Sequence, residues 1–100
     1  MLDKSKDVYC NIWGVKCTPK ERVTFGKEFK DKADSLGLFT HGYMIDPGGK
    51  HLIWLTVLSN EEGKGKDIIP LVNELNARST SKADPVFPPN GEFIHDPKYL

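Results

Sequence analysis

The stretch HGYMIDPGGKHLIWLTVLS, His41 to Ser59, decides the fold. Two runs rich in β-branched and aromatic residues flank Asp-Pro-Gly-Gly, a cluster of turn formers, so the segment reads as a β-hairpin. In its second strand both alternating sets, Ile53, Leu55, Val57 and Leu52, Trp54, Thr56, Leu58, are too apolar to face water along their whole length. Each side of the strand therefore needs a cover.

Before the hairpin, DVYCNIWGVKC alternates as a strand, Val8, Cys10 and Ile12 against Tyr9, Asn11, Trp13 and Val15. TPKE then opens a helix: Thr18 is the expected N-cap, Pro19 the first helical residue, and Glu21 closes a capping box. Phe25, Phe29, Ala33 and Leu36 follow at helical spacing, Gly37 ends the helix, and Glu28 and Lys32 are an expected i,i+4 pair. After the hairpin, SNEEGKGKD is a polar connection. Ile68, Leu71, Val72 and Leu75 place a second helix over about 67–77, capped near Asp67, with Pro70 in its first turn. Residues 79–100 read as a loop and an irregular arm whose prolines bar a central strand, although Glu92 to His95 can form an edge strand.

The order strand, helix, strand, strand, helix, edge strand defines an α+β, ferredoxin-like arrangement in one domain spanning 1–100: an antiparallel sheet with both helices on one face. Residues 1–7 are expected to be a flexible lead-in. Val8, Cys10 and Ile12 of the first strand and Ile53, Leu55 and Val57 of the third suit the helix side. Tyr9, Asn11, Trp13, Val15, Leu52, Trp54, Thr56 and Leu58 are left on the other face. The second strand presents either His41, Tyr43 and Ile45 or Gly42 and Met44 outward, because DPGGK is compatible with more than one loop length. Burial of a large side chain is worth about 2 kcal/mol. An open face with two tryptophans therefore implies a cover: a second copy, a ligand, a base, a protein partner or the chain's own tail.

Bulk properties narrow these classes. Fourteen basic and fourteen acidic residues balance, and neither half is basic enough to act as a footprint for a phosphate backbone. Cys10 and Cys17 would lie ~20 Å apart on an extended strand and differ in parity, so reduced thiols in a cytoplasmic protein are expected. The opening MLDKSKD has no apolar core of a secretion signal, and no apolar run has membrane-spanning length.

The element order, with the local texture LGLFTHGYMIDPGGKHLIWLTVLSNEE, resembles the dimeric α/β-barrel superfamily, which includes small cofactor-independent monooxygenases and muconolactone-type isomerases. The resemblance implies a homodimer whose paired sheets enclose a pocket for a small aromatic or apolar ligand, with no cofactor. It also implies an Asn/His/Trp grouping that orients the substrate. Many members carry a tryptophan near the end of the third strand, where this chain has Leu58; Trp54 lies four residues earlier.

The candidate catalytic residues are His41, as a proton acceptor near neutral pH, and Asn11, as a donor to a developing oxyanion. Tyr9, Trp13, Tyr43, Trp54 and Thr56 are the candidate ligand-binding residues. A histidine at a strand start is more often simply solvated, and alternating tryptophans are more often interface than pocket wall. The alternative function is a non-catalytic protein-interaction module, an inhibitor or adaptor, docking through the open face on Trp and Tyr anchors. A third is an RNA-recognition-like single-strand binder, but GGKHLIWLTVL supplies one aromatic where such modules alternate several. Cys10, Cys17, His41, His51 and His95 match no metal spacing.

Overall fold

In the computed structural model of the chain, residues 2–45, 51–83 and 92–95 are described, the side chains of 41–45 and 92–95 excepted. The domain is α+β, an antiparallel sheet packed against two helices. Strand β1 is Val8–Lys16, helix α1 Arg22–Ser35, strand β2 Phe39–Ile45 and strand β3 Leu52–Ser59. A 3-10 turn, Lys64–Ile68, leads into helix α2, Ile69–Arg78, and strand β4 is Glu92–His95. The strands lie in the order β2-β3-β1-β4, every neighbouring pair antiparallel.

Sequence places the hairpin and both helices correctly, with local adjustments. Thr18 and Glu21 do make the reciprocal box: the Thr18 N–H donates to the Glu21 carboxylate at 2.9 Å and the Glu21 N–H to the Thr18 hydroxyl at 3.3 Å. That box closes a turn, however, and the helix starts one turn later, with Glu21 as N-cap. Helix α1 ends as expected. Gly37 takes φ +72°, its N–H bonds the Asp34 carbonyl, and the Leu38 N–H reaches back to Ala33 at 2.8 Å. This is a Schellman closure, with Leu38 and Ala33 packed in the core. Glu28 pairs not with Lys32 but with Arg78 of α2, while Lys27–Asp31 and Lys30–Asp34 form the i,i+4 bridges at 2.8 Å. The second helix is preceded by the 3-10 turn, so Ile68 rather than Asp67 occupies its N-cap.

The principal correction concerns β1. Trp13 stands opposite Leu55, Val15 opposite Ile53 and Asn11 opposite Val57, and directly opposed residues share a face. Trp13, Val15 and Cys17 therefore lie in the main core with Phe25, Phe29, Ile68, Val72 and Leu75. Val8, Cys10 and Ile12, expected beneath the helices, lie on the opposite face with Leu58 and Leu2. Alternation divides the strand into two sets, but both are apolar; which set meets the helices depends on register against β3. The β3 assignment holds: Ile53, Leu55 and Val57 face the helices.

On the second face Val8, Cys10, Leu52 and Leu58 are each no more than 4 % exposed within the single chain. Trp54, Thr56 and Ile12 remain half-buried there. The edge of β1 is closed in two ways. β4 pairs with its first half, Val8 to Asn11. Farther along, the Asn76 side chain of α2 accepts from the Lys16 N–H at 2.8 Å and approaches the Gly14 carbonyl with its amide at 3.5 Å.

Candidate functional site

The structure does not gather the residues that sequence nominates. Asn11 and Trp13, 1 % and 7 % exposed, lie beneath the helices, whereas Trp54 and Thr56 belong to the opposite face. Tyr9 follows the alternation of Asn11 and is half-buried. Backbone pairing sets Tyr43 opposite Leu55 and Met44 opposite Trp54, past an irregularity between Thr40 and Tyr43. The side chains of His41 and Tyr43, and with them the choice between the two outward sets, lie outside the described residues. An enclosure walled by Trp13 and Trp54 together is thus not formed within this chain.

Asn11 meets the Lys64–Ile68 turn. A β-carbon on Gly65 would fall 2.0 Å from Asn11 Oδ1, so only glycine allows this approach. The Asn11 Nδ2 is buried without a hydrogen-bond partner. Only 1 % of the residue is exposed.

The thiols are not poised for chemistry either. Burial pushes Cys10 up to about 11; burial, with Glu21 nearby, pushes Cys17 to about 11 as well, and both are free thiols on opposite faces. Among the described residues Glu21 is the carboxylate most strongly displaced. Burial alone would raise it, but donors from Thr18, Thr80 and Ser79 outweigh that and hold it at about 2. Ser79 and Thr80 bind it at 2.7–3.2 Å, so this carboxylate anchors the chain leaving α2 to the turn before α1. Among the described residues, no group of three or more His, Cys, Asp or Glu is placed to hold a metal ion. Nor is any described helix long and apolar enough to cross a membrane.

A cleft of about 530 Å³ opens instead where β3 ends and β2 begins. Leu38 and Phe39 line it from the chain leaving α1, Ser59 and Asn60 from the end of β3, Lys6 from the N-terminal segment and Lys64 from the 3-10 turn. Asn60 fixes the outer wall: its amide donates to the Asp3 and Asp7 carbonyls at 2.8 and 2.9 Å and accepts from the Asp3 N–H at 2.7 Å. Lys64 lies over Gly37, its Nζ 3.0 Å from where a β-carbon would be, at the electronegative end of α1. Ser59, 6 % exposed, accepts from the Glu61 N–H at 2.9 Å.

Sequence reading passed over these residues because SNEEGKGKD looks like a solvated connection. Its signal was present, two lysines and a glycine-bearing turn directly after a buried strand, but the other wall comes from positions 6 and 37–39, and only folding joins them. The class defined here is an α+β domain with an antiparallel sheet, two covering helices and a mixed polar–apolar cleft at one end of the sheet. Set against family models, curated proteins and solved structures, the chain matches none.

Proposed function

We propose that this chain is a small-molecule-binding module of ferredoxin-like type, with the cleft at the end of β3 as its binding site. The observation that supports the reading is the cleft itself: about 530 Å³, flanked by an aromatic, an aliphatic and two ammonium groups. Binding pockets commonly measure about 300–1,000 Å³ and combine apolar walls with a few polar groups. The reading assigns no catalytic residue. Titrating isotope-labelled protein with a panel of small amphiphiles tests it. Saturable amide shifts clustered at Leu38, Phe39, Ser59 and Lys64 are expected, and their absence for every compound would falsify the reading.

A second reading, docking of a protein partner on the other sheet face, is favoured by one observation: Trp54 is half-buried beside Ile12 and Thr56, on the side away from the helices. A barrel-type homodimer would use the same patch. Sedimentation distinguishes it: a dimer in which Trp54→Ala restores the monomer supports docking there, and a monomer at all concentrations removes the homodimer.

A further inference from the structure

The polar groups of the cleft are unequally engaged. Lys64 Nζ is 3.8 Å from Glu61 Oε2, and Lys6 Nζ is 4.0 Å from Asp3 Oδ2; both separations exceed hydrogen-bond length. Among the described residues neither ammonium donates a hydrogen bond. Among the described residues the Ser59 hydroxyl accepts one bond and donates none. By contrast, the Asp34 carboxylate on the rim is held by Lys30 at 2.8 Å, and the Asn60 amide is fully engaged with the N-terminal segment. The cleft therefore offers two loosely ion-paired ammonium groups and a hydroxyl, none donating a hydrogen bond among the described residues, and, beside them, the Leu38 and Phe39 side chains. Phe39 is 37 % exposed, one of the few large apolar groups on the described surface.

From this imbalance we propose that the cleft takes a small monocarboxylate with a flat apolar body, an inference that rests on the cleft being a ligand site. The carboxylate accepts from Lys6, Lys64 and Ser59 while the body covers Phe39 and Leu38. With Asp34 held by Lys30, Lys6 and Lys64 stand against one further lining carboxylate, Glu61, so a monoanion fits better than a phosphate dianion. A second negative charge would meet the exposed Glu61 without a further cation. Charge-assisted hydrogen bonds are about twice as strong as neutral ones, so the head group should dominate selectivity.

Phenylacetate, phenylacetamide and phenyl phosphate, titrated separately into labelled full-length protein, test the assignment. Phenylacetate is expected to shift the amides of Leu38, Phe39, Ser59 and Lys64 saturably, with phenylacetamide weaker by about tenfold. Lys6→Met should weaken phenylacetate by a similar factor and leave phenylacetamide unchanged. Lys6 is exposed and has no atom within 4 Å of where a Gly37 β-carbon would stand, so this variant keeps the test valid even where Lys64→Met loosens the end of α1. Lys64→Arg should retain binding. Equal affinity for acid and amide overturns the carboxylate assignment and leaves the cleft a ligand site. Tighter binding of phenyl phosphate than of phenylacetate overturns the monoanion. Shifts at none of the four positions with any probe overturn both.

Discussion

Asn11 and Asn76 are both buried asparagines on the helix side of β1, at 1 % and 9 % exposure, yet their surroundings differ in kind. Asn76 reaches from α2 to the edge of β1 that β4 leaves uncovered. Its carbonyl takes the Lys16 N–H, and its amide turns to the Gly14 and Val72 carbonyls at 3.5 and 3.2 Å. Asn11 sits mid-strand, pressed by Gly65, with its amide nitrogen unpaired. The same side chain thus closes a sheet edge in one place and carries a desolvation penalty in the other. A buried polar group stabilises only when its partners are present; without them it costs about 1–3 kcal/mol.

Five variants break or sharpen this contrast. The largest effect belongs to Gly65→Ala, whose methyl would lie 2.0 Å from Asn11 Oδ1 and 2.7 Å from its Cγ. Between a sheet and a turn neither side yields easily, and a loss of about 3 kcal/mol in chemical denaturation is expected. Asn11→Ala in the same chain should recover part of it; failure to recover would place the strain elsewhere. Asn76→Leu keeps the bulk but strips the Lys16 N–H and the Gly14 carbonyl of their partner, at a cost of about 2 kcal/mol. A neutral result would mean that water serves this edge equally well.

Glu21→Gln examines a third polar anchor, satisfied like Asn76 but ionised. The folded carboxyl lies at about 2, below its usual 4.5, so its contribution is complete above pH 4.5 and disappears as pH falls through 2. The variant should be the less stable at pH 7, and the difference should close between pH 4.5 and 2 in urea titrations; a constant gap would rule out the charge as its source. The smallest change is expected for Asn11→Val, which removes the unpaired donor from a strand position. Its stability should stay within about 1 kcal/mol of the parent, with the sign favouring the variant, opposite to Asn76→Leu. A loss as large as that of Asn76→Leu would show that the Asn11 amide is satisfied after all.

The cysteines offer a separate check on burial. With both thiols near 11, labelling by a disulfide reagent at pH 8 should be slow in the folded chain and fast in denaturant. Rapid labelling of one thiol in native buffer would show its part of the core opening.

Legibility in the sequence followed the range over which each interaction acts. The Thr18–Glu21 box and the Gly37 closure involve residues a few positions apart, so their chemistry is written locally; the Asp-Pro-Gly-Gly turn lies outside the described residues. The nominated site was not recoverable in this way. Asn11, Trp13, Trp54 and Thr56 are chemically suited to line a pocket, but β1 and β3 are apolar on both alternating sets. The side assigned from sequence holds for β3 but not for β1, whose register against β3 decides which set meets the helices.

What the chain's own order of residues determined is the succession of strands and helices, where each helix stops, and that the two cysteines fall on opposite faces of the sheet. Hydrophobic period and turn chemistry suffice for these, since they act over one or two turns. Tertiary structure alone decided that Trp13 is core while Trp54 is not. It also paired Glu28 with Arg78 and brought positions 6, 38, 59 and 64 around one cleft. Those outcomes depend on strand register and on contacts between segments far apart in the chain, where one residue of slip exchanges the two faces of a strand.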